Sequence, residues 1–132
     1  MEQRNVNPWK WQDQWGFSQA VEVRGAERVL YCSGQTSTDA DGKTVAPGDM
    51  AAQAAKALDN VETVLREAGL GLQNVVRLDY FVTDVDLYSN EAAPVIGPRL
   101  AAAGVQPAGT LLGITRLAFP DLMIEIEATA VG

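Results

Sequence analysis

A chain of 132 residues that is 47% hydrophobic and 20% charged is long enough for one core and too short for two, so a single globular domain over residues 1–132 is expected, with residues 1–15 as an N-terminal extension. The formal charge of -7 without a run of Lys or Arg argues against nucleic acid as a partner, and no apolar stretch approaches the roughly 20 residues that span a bilayer, which argues against a membrane. Histidine is absent and Cys32 is the only cysteine, which removes Ser-His and Cys-His nucleophile systems, His-based zinc sites and any intrachain disulfide.

Acid–base chemistry then falls to carboxylates, tyrosines, lysines, the lone thiol or a bound water. The acids are scattered without calcium-loop spacing, so no metal and no cofactor are expected. The lone cysteine and the lack of a secretory h-region in Met1–Gly16 fit a soluble, cytoplasmic protein. Trp9, Trp11 and Trp15 in that segment are either a hydrophobic lid or subunit contact, or anchors of the N-terminus.

Phe17–Arg24 alternates loosely and Arg28–Ser33 is rich in Val, Leu and Tyr. With Gly25-Ala26-Glu27 as a short link, the two are predicted to form a β-hairpin. Cys32, inside that second run with no flanking cation, reads as a buried inert thiol. A polar loop over 36–48 follows, with a turn at Asp41-Gly42. Asp49 is the N-cap of a helix whose stripe Ala54, Leu58, Val61, Leu65 and Ala68 steps by four and three, with Gly69 as its stop. The opposite face, Lys56, Asp59, Glu62 and Arg66, is expected to be solvated.

Asn74–Thr83 reads as a strand with Val76, Leu78, Tyr80 and Val82 on one face and Arg77, Asp79 and Phe81 on the other. A second helix lies within Leu87–Ala103, closed by Gly104; Pro94 and Pro98 fit either a late start or a kink. Two strands end the chain. In Leu122–Val131 the residues Leu122, Ile124, Ile126, Ala128 and Ala130 alternate with Met123, Glu125, Glu127 and Thr129, so one face is apolar and the other carries two carboxylates. That second face is either solvated or covered by another subunit.

The order hairpin, helix, strand, helix and two strands suggests an α+β fold, a mixed sheet with both helices on one face and the other face bare. Phe81 and Met123 among the charges of the bare face make self-association the economical way to cover it.

In this order the chain resembles the RidA (YjgF/YER057c/UK114) family. The resemblance is carried by Gly16-Phe17-Ser18-Gln19-Ala20-Val21, Ser33-Gly34-Gln35, Gln53 with Asn60, Asn74-Val75-Val76, Asn90, Pro107-Ala108, Arg116-Leu117 and Ile124-Glu125-Ile126-Glu127-Ala128. It implies a chorismate-mutase-like fold, a homotrimer and a small-molecule ligand held between subunits. In the deaminase branch the chemistry is hydrolysis of 2-imino or enamine acids to ammonia and a 2-keto acid.

By the same resemblance, Glu125 is the residue that orients the attacking water, while Ser33, Gly34 and Asn90 match ligand contacts. Glu127 is structural. Phe17 replaces the family's tyrosine and loses its hydroxyl, Leu111 stands where many members carry cysteine, and Gly109 stands where an arginine grips the substrate carboxylate. A charge-assisted contact of that kind contributes about 1.5–3 kcal/mol, so the usual imino acid would be held poorly. Arg116 is seven residues from Gly109 and faces the other way in a regular strand, which leaves Arg77 and Arg99 as possible substitutes. Gly109 and Gly113 either make room for a ligand or allow a bulge or close backbone approach. Two functions follow: hydrolytic C–N chemistry, deaminase-like, on a substrate other than the standard 2-imino acid, or a non-catalytic trimeric protein that binds a ligand or partner.

Overall fold

The computed structural model describes all 132 residues. Its centre is β7 (Ile124–Val131), which pairs antiparallel with β5 (Val75–Val82) on one side and with β3 (Val29–Tyr31) and β4 (Gln35–Thr36) on the other. Strand β6 (Ala108–Gly113) lies parallel to β5 at the far edge. A parallel neighbour needs a crossover, and the second helical segment supplies it. The α+β reading of a mixed sheet with helices packed against it describes this arrangement.

Helix α1 (Met50–Glu67) starts where the Asp49 carboxylate accepts the Ala52 N–H at 3.0 Å and ends before Gly69 at φ +76°. Its stripe Ala54, Leu58, Val61 and Leu65 is fully buried against Leu78, Ile124 and Ile126 of the sheet in one core cluster. Gln53, also fully buried, is satisfied at every turn: its Nε2 donates to the carbonyls of Ala46 and Asp121, and its Oε1 accepts from the Met123 N–H at 2.8 Å. The start of α1 is thereby tied to the approach to β7. Asn60 does the same for β4, donating to the carbonyls of Thr36 and Thr38.

Four expectations need correction. Strand β2 (Ala20–Arg24) does not form a hairpin with β3. It pairs antiparallel with β1 (Glu2–Val6) in a separate two-stranded ribbon, where Arg4 stands opposite Glu22 at 2.6 Å and Arg24 bonds the same carboxylate. Both guanidinium groups hold the Glu22 carboxyl below its ordinary range. The amides of Glu27 and Arg28 are claimed by the carbonyl of Gly132, so the link that looked like a hairpin turn carries the chain onto the sheet edge instead.

The register of β5 against β7 shifts between Val75 and Arg77. The bulge makes Val75 the buried residue and leaves Val76 half-buried, so Val76 does not continue the row of Leu78 and Val82. Met123 precedes the strand and packs against the core, not on the bare face. Finally, Asp59 and Glu62 on the outer side of α1 are not simply solvated, because Arg99 bridges them at 2.9 and 2.8 Å and adds a bond to the Ala55 carbonyl.

The proline question resolves as a widened turn. Asp84 caps α2 (Val85–Leu87), a π-helical turn occupies Tyr88–Ala92, and α3 (Ala93–Ala102) follows with Pro94 in its first turn and Pro98 inside. The Ala93 N–H reaches back to the Tyr88 carbonyl, one residue further than in an α-helix. Pro94 has no N–H for Asn90 and its ring would press on that carbonyl, so the wider turn relieves both problems.

Candidate functional site

Two groupings of functional residues emerge, one on each face of the sheet. The first lies between the sheet and α3 and is a cavity of about 480 Å³. Leu78 and Tyr80 of β5 and Gly109, Thr110 and Leu111 of β6 form its floor; Ala93, Ile96, Gly97, Leu100 and Ala101 of α3 form its roof; Tyr88 and Ser89 of the π turn close one side. Trp15, Gly16 and Phe17 stand at the opening, held to the start of β6 by the Ser18 N–H on the Pro107 carbonyl at 3.2 Å. The short 3-10 helix Trp11–Trp15 ends at Gly16, whose φ of +74° turns the chain so that Phe17 meets Trp11 edge-on, with ring centroids 5.8 Å apart. Of the three tryptophans, Trp15 therefore borders the cavity and Trp11 supports Phe17.

No lysine, arginine, aspartate or glutamate lines this space. Its polar side chains include the phenols of Tyr80 and Tyr88, whose rings lie 5.5 Å apart. Neither hydroxyl has a hydrogen-bond partner in the chain, while Ser18 Oγ alone is both fully occluded and unpartnered; the phenol oxygens are thus in reach of solvent, and the space they border is the cavity. Burial pushes the Tyr88 phenol up to about 12. Burial, reinforced by Tyr88 and Asp79, pushes Tyr80 up as well. Both remain neutral donors at any physiological pH.

Position 109, where the resemblance implies an arginine, is closed to side chains. A Cβ built on it would stand 1.9 Å from the Leu78 carbonyl oxygen, a contact with backbone that cannot swing aside. Strand β6 lies against β5 so closely that no L-side chain fits at this position without moving a strand. The other arginines do not compensate. Arg77 is held by Asp79 and Thr110, Arg99 by Asp59 and Glu62, and Arg116 bonds carbonyls of its own loop at Leu117 and Ala118. None of the three borders the cavity.

The second grouping lies on the bare sheet face. Glu125 is half-buried and pairs across the sheet with Phe81 on β5 and Thr36 on β4. Its side chain lies flat on Gly34: a Cβ there would fall 2.0 Å from Oε2, 2.5 Å from Cδ and 2.8 Å from Cγ. The carboxylate makes no ion pair or hydrogen bond within the chain, and Ser33 beside it is exposed. Glu127 is exposed two residues on, opposite Asp79. Tyr31 and Leu112 are exposed on the sheet. Cys32 is buried, and burial raises its thiol.

The sequence-derived set is thus divided. Phe17, Gly109 and Leu111 meet at the cavity, and Gly34 and Glu125 meet on the other face with Ser33 adjacent. Asn90 joins neither, being exposed in the π turn next to the cavity residue Ser89. Sequence reasoning missed Tyr80, Tyr88 and Gly97. The signal for the last was the spacing Ala93, Gly97, Ala101, a row of small residues along one helix face.

Comparison with known proteins gives a consistent result. The profile of the family described as Endoribonuclease L-PSP matches residues 12–132. The crystal structure of the Yersinia pestis protein YyfB, described as a protein of unknown function of the conserved Rid family, is 36% identical with a TM-score of 0.90 and covers 100% of both chains. A RutC family protein of Aquifex aeolicus is 30% identical over 115 residues, 87% of each chain. The 2-iminobutanoate/2-iminopropanoate deaminase of Escherichia coli strain K12 is 35% identical over 85 residues, 64% of this chain and 66% of its own.

Proposed function

The chain belongs to the RidA (YjgF/YER057c/UK114) family, and from that premise we propose that it is a deaminase-like hydrolase of a C–N bond in a small molecule other than the usual 2-imino acid. The site is a cleft between subunits of a homotrimer, in which the Gly34–Glu125 wall of one copy faces the Phe17–Leu111 wall of the next. A reducing cytoplasmic setting suits the lone buried thiol.

The observation that carries this reading is the state of Glu125. A half-buried carboxylate that lies on a glycine and is bound to nothing in its own chain is free to accept a hydrogen bond from a water, and polar groups are rarely left so without use. In the chemistry proposed, the water adds to the imine carbon while its proton passes to the carboxylate. The carboxylate returns that proton to nitrogen to give a carbinolamine, then relays the carbinolamine hydroxyl proton to the same nitrogen, so that the C–N bond breaks and ammonia leaves a carbonyl product. With no arginine beside Gly109, recognition of a substrate carboxylate is not part of the scheme.

The experiment is ammonia release from a panel of freshly generated 2-iminobutyrate and neutral imines or enamines, with wild type and Glu125→Ala. Turnover of a neutral compound that falls at least tenfold in the variant supports the reading, and release unchanged by the variant throughout overturns it. Light scattering tests the trimer separately, since a clean monomer at micromolar concentration removes the cleft. The second reading, a non-catalytic ligand-binding or interaction protein, is favoured by the closed position 109; a cavity that binds compounds and turns none over selects it.

A further inference from the structure

We infer that the cavity under α3 is a recognition site for an uncharged molecule with an aromatic or alkyl body and one hydrogen-bond acceptor, a carbonyl or imine, held by the hydroxyls of Tyr80 and Tyr88. This deepens the reading above by naming the class of molecule the site takes, and it is measured by binding alone, so it stands or falls whether or not any compound is hydrolysed.

Four features of the cavity converge on it. The space, about 480 Å³ and lined chiefly by apolar side chains, is of the size that encloses a small organic molecule. It offers no cation, so a carboxylate would leave water without compensation. The two phenols that border it are unpartnered within the chain and open to solvent, so each is free to donate to an acceptor placed in the cavity.

Gly97 supplies the fourth. It sits within α3 at ordinary helical φ and borders the cavity, and a Cβ built on it would meet nothing within 4 Å. A glycine inside a helix lowers stability relative to alanine, and here no neighbouring atom requires it. Gly97 is exposed at the rim, so a larger side chain there would project into the opening of the cavity.

The test uses an isosteric pair. 4-Phenyl-2-butanone and 3-phenylpropanoate differ in a methyl group against a carboxylate oxygen, and propylbenzene lacks the acceptor. Binding to the full chain is followed by calorimetry and ligand-observed NMR. The ketone is expected to bind at least tenfold more tightly than the carboxylate. The Tyr80→Phe/Tyr88→Phe variant, which keeps the rings, weakens the ketone about 5- to 50-fold and leaves propylbenzene within twofold. Gly97→Leu abolishes all binding while its melting temperature stays at or above wild type, which separates a filled cavity from a failed fold. A carboxylate bound as tightly as the ketone, a phenol-free variant with unchanged ketone affinity, or no binding by any of the three compounds overturns the inference. In each of those cases ammonia release dependent on Glu125 would still stand, so the two claims fail separately.

Discussion

Restoring an arginine at position 109 is the direct way to ask whether this chain is a deaminase with one side chain removed, and the structure says that the attempt fails for a backbone reason. A Cβ at Gly109 would be 1.9 Å from the Leu78 carbonyl oxygen, roughly 1 Å inside the closest approach such atoms make. The whole of β6 must move outward, straining the parallel ladder from Arg77↔Ala108 to Val82↔Gly113 and opening the cavity floor. Overpacking of this kind costs about 1–3 kcal/mol, which for a domain of this size lowers the melting temperature by about 4–12 °C. We expect Gly109→Ala to show that loss already, since the collision is at Cβ. Gly109→Arg should lose at least as much and gain no hydrolysis of 2-iminobutyrate. Circular-dichroism melts at fixed protein concentration and an ammonia assay decide it. An arginine variant as stable as wild type with new imino-acid activity would refute the argument, because β6 would then be free to reset and the glycine would be a simple deletion.

Three further outcomes follow from the same geometry. Gly34→Ala should displace the Glu125 carboxylate, which lies within 2.0–2.8 Å of the added methyl, and reduce any Glu125-dependent turnover at least tenfold while stability changes by less than about 1 kcal/mol; equal turnover in the two proteins would show that the contact does not position the acid. Gln53→Leu removes three part-buried hydrogen bonds and takes the side-chain partner from the Asp121 carbonyl and the Met123 N–H, while the Ala46 carbonyl keeps the Asp49 N–H, so we expect about 2–3 kcal/mol less stability by urea denaturation, and a loss under 1 kcal/mol would contradict the clamp. The raised phenols of Tyr80 and Tyr88 contribute stability that is fully present below the unfolded tyrosine value near 10 and is lost as pH rises through about 12. Melts between pH 9 and 12 should therefore fall less steeply for the Tyr80→Phe/Tyr88→Phe variant, and parallel curves would sink that assignment.

What could be read from sequence was what repeats with a fixed period and stays within one element. Helix α1 carried its cap, stripe and stop in order, and Asp49, Leu58 and Gly69 do what those signals imply. The alternation of β7 held because both its neighbours enforce it. Strand β1 was illegible because Glu-Gln-Arg-Asn-Val has no apolar rhythm; it is held by its backbone ladder to the distant β2, with Arg4 on Glu22 the one ion pair across it. The bulge at Val76 escaped because one extra residue inverts a period-two pattern without altering composition. The family order identified Gly109 as a departure, yet only the spacing between β5 and β6 converts a missing side chain into a forbidden one. Tyr80 read as a core residue by its row on β5, and nothing in that row indicated that the helix above it would leave a space.

The departures from the family's pattern all lie on one wall and all act in one direction. Phe17 lacks a hydroxyl, Gly109 lacks a cation and Leu111 stands where many members carry cysteine, and all three border the cavity. The opposite grouping, Gly34 under an unengaged Glu125, leaves a carboxylate free to accept a hydrogen bond from water, as the proposed function requires. Because a carboxylate's desolvation in a cation-free cavity is opposed by several kcal/mol, the change excludes the anion more strongly than it weakens any neutral analogue. On the function proposed above, the difference between this chain and its deaminase relatives would lie in recognition, and with a Cβ at position 109 set 1.9 Å from the Leu78 carbonyl oxygen one substitution there is not expected to reverse it.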